Sequence, residues 1–418
     1  MFVLLIALGI FKLGMHVYVP FINRGVLEGF TEQGGMFSVM NTFTGGALST
    51  FSIFAVGIMP YITASIIVQL LQMDVVPKFV EWKEQGEYGQ RKLKQTTYVL
   101  TFLFALIQSV GMTFSFNQMY AGLIANTSWW ALVTIIGTLT LGTVILVVMG
   151  EIIEKKGIGK GISIIILAGI LMTIPEIATK FFLTEFTGDD TFLVIIKAVL
   201  IVAFIYALLV SIIIVNGGER KIPIQSSNVG KYGTASRGTN FLPIKINSAG
   251  VIPVIFASAL FMLPITFAQM FGANKLTVFF EKYVSFTSVT GILLYALIIM
   301  MFTFFYAFVQ IDPQKLADNL HMNGSFVPGI RPGKNTVEYF ARVLVRLTCV
   351  GAVFLALVAV LPMLLGLGVT IPQELTMIGT SLIIVVSVVV DLNNQLQTEM
   401  LKSVYTQMRT NKGSTIWN

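Results

Sequence analysis

Runs of about twenty apolar residues follow one another along most of the chain, separated by short polar or glycine-rich segments. Each is long enough to cross the roughly 30 Å hydrocarbon core of a bilayer as a helix. The pattern predicts ten spans, near 2–20, 53–73, 96–116, 128–150, 162–182, 191–216, 248–271, 290–310, 341–363 and 374–391. The ten-residue alternating segments of a membrane β-barrel are absent. "MFVLLIALGIF" lacks a basic leader and a small-residue cleavage site, so it reads as the start of span one rather than a cleaved signal. One stretch fits the pattern poorly. "GGMFSVMNTFTGGALSTFS" (34–52) is rich in Gly, Ser and Thr. It reads either as an outer loop or as irregular backbone at membrane depth, which survives only when surrounded by protein or lining a cavity.

Composition excludes a soluble domain: 55% of the residues are hydrophobic and 11% charged, too little polar surface to cover a chain of 418 residues. Charge then sets the orientation. Segments 74–95, 151–161, 217–247, 311–340 and 392–418 carry nineteen Lys and Arg, whereas the opposite connections carry Arg24, Lys275 and Lys282 alone. The positive-inside rule makes the first set cytoplasmic, and ten crossings put both termini there too. The single cysteine, Cys349, lies in an apolar segment and is expected to pack in the core.

Two decapeptides share a frame. "GIMPYITASI" (57–66) and "GVIPVIFASA" (250–259) align Gly57 with Gly250, Pro60 with Pro253, Ile62 with Ile255, Ala64 with Ala257 and Ser65 with Ser258. They open spans two and seven, which run in opposite directions. That relation marks an inverted repeat, with spans 1–5 matching 6–10 about a passage between the halves.

The repeat allows a transporter or a channel. An ion-coupled transporter usually keeps ionisable groups inside its spans. Here the interiors hold little beyond Lys12 and His16, which are expected to face neighbouring helices or pair with another group rather than relay protons. A passage sealed by aliphatic side chains gates by dewetting and suits a cargo that widens it. Catalytic signatures are missing: there is no H-E-x-x-H, G-x-S-x-G or Walker A motif, and two histidines make no convincing zinc site. "GIGKGIS" (157–163) runs straight into a span and reads as an interfacial turn. Neither an enzyme nor a cofactor is expected.

Long motifs then carry a resemblance. "NTFTGGALSTFSIFAVGIMPYITASIIVQLLQ" (41–72), "GEYGQRKLKQTTY" (86–98), "EKKGIGKGISIIILAGI" (154–170), "INSAGVIPVIFASAL" (246–260), "DPQKLADNLHMNGSFVPGIRPG" (312–333) and "GTSLIIVVSVVVD" (379–391) are similar to those of the SecY family, pore subunits of the bacterial protein translocase. The resemblance implies ten helices in two pseudo-symmetric inverted halves around a pore with a short plug helix. It divides the chain into 1–182 with the plug at 36–52, then 183–247, then 248–418. It implies a pore ring of Ile58, Ile62, Ile162, Ile166, Ile255 and Ile384. The plug is expected to include Asn41, Gly45, Gly46 and Leu48. A lateral gate is expected between spans two and three and spans seven and eight, with Gln69 and Gln108 as its polar residues.

For partners, the resemblance implies SecE and SecG homologues, the SecA motor ATPase, the ribosome, signal peptides, unfolded preproteins and membrane lipid, and no DNA. Arg220, Lys221 and Arg331 are the expected motor or ribosome contacts. The implied location is the bacterial cytoplasmic membrane. A secondary transporter and an insertase that never exports soluble cargo are the competing classes. Two stretches depart from the family pattern: the loop tip "SSNVGKYGTASRGTN" (226–240), and a start almost inside span one that fits a truncated or renumbered chain.

Overall fold

The computed structural model describes residues 2–23, 36–73, 76–119, 122–124, 128–157, 159–185, 191–226, 240–270, 279–280, 282–286, 288–368 and 376–414. Helices dominate. In chain order the described residues form α1 (Phe2–Met15), α2 (Met36–Thr44), α3 (Met59–Leu71), α4 (Pro77–Glu84), α5 (Glu87–Met119), α6 (Trp129–Lys156), α7 (Gly161–Glu185) and α8 (Thr191–Gly217). After two strands follow α9 (Ile252–Met270), α10 (Val289–Gln310), α11 (Pro313–Met322), α12 (Lys334–Gly368) and α13 (Ile378–Ser414). Seven of these are long and apolar enough to cross a membrane: α5, α6, α7, α8, α10, α12 and α13. The shorter apolar helices α1, α3 and α9 stand where spans one, two and seven were expected.

The Gly-Pro frames turn out to be helix starts, not interruptions. Span two was expected from residue 53, but the helix begins at Met59, after a run of turns. Gly57 and Gly250 both adopt positive φ, +66° and +67°, a backbone region that glycine enters without steric cost. Pro60 and Pro253 then sit in the first turn, where a missing N–H loses no helical bond. The turn bonds match as well. Gly57 N–H donates to Phe54 O at 2.9 Å, and Gly250 N–H to Asn247 O at 3.4 Å.

The correspondence extends beyond the decapeptides. Ile53 N–H donates to Val17 O, and Ile246 N–H donates to Gly218 O, tying each helix-opening turn to the end of the preceding span. Tyr18 bridges Ser52 in antiparallel fashion, and Glu219 pairs likewise with Lys245. Gly142 of α6 packs on the Ile53 carbonyl, and Gly351 of α12 packs on the Ile246 carbonyl. Each half thus repeats one arrangement of three spans and a turn.

The first half packs α1, α3, α5, α6 and α7, and the second packs α8, α9, α10, α12 and α13. The halves touch along two seams, α3 and α5 against α9 on one side and α7 against α13 on the other.

The all-α expectation misses a small sheet. Strands β1 (Glu219–Ser226), β2 (Asn240–Lys245) and β3 (Ser325–Phe326) lie in the order β2-β1-β3, antiparallel throughout. In "KIPIQ" Ile222 and Ile224 are buried while Lys221, Pro223 and Gln225 are exposed, the period-two pattern of a half-buried strand. Ile222 packs with Ile244, Ala317, Val327, Phe340 and Val343, which gives the two longest basic segments a common core. The loop tip at 227–239 lies outside the described residues.

Two other expectations fail. Cys349 is exposed on α12. Lys12 and His16 also lie on the outer face of α1, where His16 Nδ1 is 3.0 Å from the Lys12 carbonyl oxygen. Surface alternation along a membrane helix carries no polarity signal, since lipid and core are equally apolar.

Candidate functional site

The six isoleucines come from different parts of the chain and pack in or against one extended apolar cluster. Ile58 precedes α3, and its carbonyl accepts from Ile62 N–H one turn later, at 3.2 Å. Ile162 and Ile166 lie one turn apart on α7, Ile255 on α9 and Ile384 on α13. Five of them are buried, and Ile162 is half-buried against the same cluster. That cluster draws on both halves. Such a contact excludes water and presents no group that would hold an ion.

The ambiguous segment packs on the same cluster. Helix α2 ends at Thr44, and Gly45 and Gly46 follow at φ of +73° and +89°. Two left-handed residues reverse the chain, and Gly46 N–H then donates to Asn41 O at 2.9 Å. Asn41 Oδ1 accepts from Ser49 N–H at 2.9 Å, so one side chain braces the loop it precedes. Phe43 and Ala47 join the isoleucine cluster. Leu48 and Phe51 join a second cluster with Met112, Phe116, Ile135 and Leu139. Phe51 itself holds positive φ, +45°, and its ring meets Phe116 edge-on at 5.5 Å.

A glycine pair seats this segment. A Cβ on Gly45 would stand 2.9 Å from Gly169 Cα, and one on Gly169 would stand 3.1 Å from Phe43 O. Only at Gly169 can the backbone of α7 approach so closely.

Gln69 and Gln108 sit differently along the α3/α5–α9 seam. Gln69 is on α3, where its Nε2 donates to Ser65 Oγ at 3.0 Å. Its Oε1 accepts from Tyr306 Oη of α10, so that bond crosses between the halves. Tyr306 packs edge-on against Phe256 at 5.0 Å. Gln108 on α5 instead faces a cavity lined by Met40, Met59, Met112 and Met262 together with Thr63. Four unbranched thioethers from α2, α3, α5 and α9 make an adaptable lining. The structure does not bring the two glutamines together.

The three cations lie in the sheet unit. Arg220 and Lys221 are exposed on β1, and Lys221 Nζ lies 3.5 Å from Glu219 Oε1. Arg331 is exposed in a loop shaped by Gly329 and Gly333, at φ of +81° and +104°. Its carbonyl accepts from Thr336 Oγ1 at 3.0 Å. Pairing of Gln225 with Phe326 joins β1 to the strand that precedes this loop.

A family model described as SecY matches residues 52–393. The chain belongs to the SecY family. A protein translocase subunit SecY of Bacillus licheniformis is 45% identical over 405 residues, covering 96% of this chain and 94% of that protein. The Bacillus subtilis protein of the same description is 44% identical, with the same coverage. A solved structure described as that of a protein conducting channel superposes with a TM-score of 0.66 at 19% identity, covering 95% of this chain and 91% of the other. That structure shares the SecY fold.

Sequence reasoning missed Gly169 and Tyr306. Gly169 was visible as the one residue without a side chain after "SIIILA". Tyr306 stands in an aromatic run, and nothing in that run marks it as the partner of a residue 237 positions away. If Gly169 seats the turn, Gly169→Val pushes it off α7 at a cost of about 1–3 kcal/mol. Amide hydrogen exchange in 41–52 should then accelerate about tenfold or more. Unchanged exchange would contradict the seat.

Proposed function

We infer that the chain is the pore subunit of a protein-translocation channel, a multi-pass protein of the bacterial membrane rather than an enzyme. The observation that carries this reading is the apolar cluster shared by both halves, where the six isoleucines pack together with Phe43 and Ala47 from the segment around the turn after α2. At rest the six side chains form the seal, and the segment 36–52 is the plug above it. An unfolded preprotein displaces the plug and replaces the isoleucines' packing with its own. Water and ions stay excluded because the ring closes on the chain. Backbone groups of the cargo cross a short constriction, not a long apolar tunnel, which limits their desolvation cost.

The seam of α3 and α5 against α9 and α10 is the lateral gate. The bond from Tyr306 to Gln69 holds it at one end, and the apolar core of a signal peptide parts it beside the Met-lined pocket at Gln108. Hydrogen bonds between membrane helices average about 0.6 kcal/mol, so this bond restrains the seam without locking it. An apolar segment that parts the seam leaves sideways into lipid.

The sheet unit lies on the cytoplasmic side, as do both termini. Arg220, Lys221 and Arg331 dock the SecA motor or the ribosome there, and SecE and SecG homologues accompany the chain. Support comes from the exposure of all three cations on one folded unit. Arginine's planar fork binds carboxylates, phosphates and carbonyls in fixed geometry.

Two measurements test this. Ile62→Ser combined with Ile255→Ser should raise the resting ion conductance of reconstituted channels by about tenfold or more, because polar side chains wet the constriction. Parental resting conductance would contradict the ring. Arg331→Glu should leave the protein folded and cut SecA-driven translocation into vesicles about tenfold. Normal translocation would contradict the docking role.

A further inference from the structure

A buried polar contact stands among the aliphatic packing of the second half. Asn247, 5% exposed, lies in the turn three residues before Gly250. Its Nδ2 donates to Asn216 Oδ1 in the last turn of α8, at 2.8 Å, and to Gly250 O at 3.2 Å. Asn216 Nδ2 in turn donates to Ser387 Oγ on α13, at 2.9 Å. Ser387 is 5% exposed. One chain of directional bonds therefore ties α8, the entrance to α9 and α13.

Stability alone does not account for these residues. Asn247 Oδ1 is buried without a hydrogen-bond partner among the described residues. Apolar side chains of similar shape at Asn216 and Asn247 together can be nearly neutral for stability. The repeat makes the contrast plain. The residue equivalent to Asn247 in the first half is Phe54, also three positions before its glycine. Phe54 is an apolar wedge, stacked on Phe11 at 5.7 Å and fitted against Gly14 and Gly142. The same corner is held by shape in one half and by hydrogen bonds in the other.

The tied elements carry the seal. Ile255 follows Asn247 on α9, and Ile384 precedes Ser387 by one turn on α13. On its other side α9 packs against α3 and α5. We infer that Asn216, Asn247 and Ser387 are positioning residues that fix the height of α9 against α13, and so the meeting of Ile255 with Ile384. They keep α9 with its own half when it parts from α3 and α5. The inference rests on the pore reading above, and the test separates the two.

Channels carrying Ser387→Ala, Asn247→Ala, both changes, Ser387→Thr or Ile255→Ser are reconstituted beside the parent chain. Resting conductance is measured, together with export of preproteins bearing an intact or a defective signal peptide. Ser387→Ala and Asn247→Ala should each raise resting conductance about three- to tenfold. They should favour the defective-signal substrate relative to the intact one, which general destabilisation would not do. The double variant should leak no more than Asn247→Ala, and Ser387→Thr, which keeps the hydroxyl, should match the parent. If Asn247→Ala fails to fold, Ser387→Ala carries the test. If Ile255→Ser leaks while both clasp variants conduct and discriminate as the parent does, the clasp inference is overturned and the pore reading stands. If Ile255→Ser does not leak either, the pore reading falls and takes the clasp with it. Equal leak from Ser387→Thr and Ser387→Ala also overturns the clasp.

Discussion

Backbone polarity inside a bilayer constrains everything else in this molecule. Lipid offers no hydrogen-bond partners, so a non-helical turn at membrane depth must be wrapped in protein and internally bonded. The turns at 45–58 and 246–251 meet that condition. Several of their N–H groups find acceptors within the turn or on the end of the preceding span, as Ile53 does at Val17 and Ile246 at Gly218. Glycines on α6 and α12 let those spans close directly onto the turn backbone. With the turns satisfied, α3 and α9 can begin part-way along the bundle and bring Ile62 and Ile255 into the shared cluster.

The weakness of the contact between the halves is as important as its dryness. Aliphatic side chains packed across the seam gain no hydrophobic driving force relative to lipid, only dispersion and shape. A contact of that kind seals water out yet separates at modest cost when another apolar surface replaces it. Specific contacts surround it: Gly169 under the turn after α2, the Phe54 wedge at one corner and the Asn247–Asn216 hydrogen bond at the other. Rigid corners and a soft seam are what a gate between two bundles requires.

Much of this fold was legible in the chain, for identifiable reasons. Hydropathy located the spans because length and apolarity suffice for a membrane helix. The decapeptide match located the repeat because Gly57 and Gly250 must adopt the same rare φ. The proposed ring was not legible in that way. An isoleucine in a span looks the same whether it faces lipid, core or pore, and only the family resemblance singled out six of them. Cys349 and His16 were misplaced for the same reason. The sheet escaped because β1 finds β3 a hundred residues later, a pairing no local pattern announces. Tyr306 and the Asn247 clasp depend on contacts across helices distant in sequence, where chemistry is visible but partnership is not.

Site-specific photo-crosslinking of a stalled preprotein tests the central claim most directly. Probes at Ile62 and Ile255 should capture the mature region of the cargo, and probes on α3 and α9 facing the seam should capture its signal peptide. A probe at Leu200, exposed on the outer face of α8, should capture neither. Cargo captured at Leu200 but not at Ile62 or Ile255 would contradict a passage between the two halves.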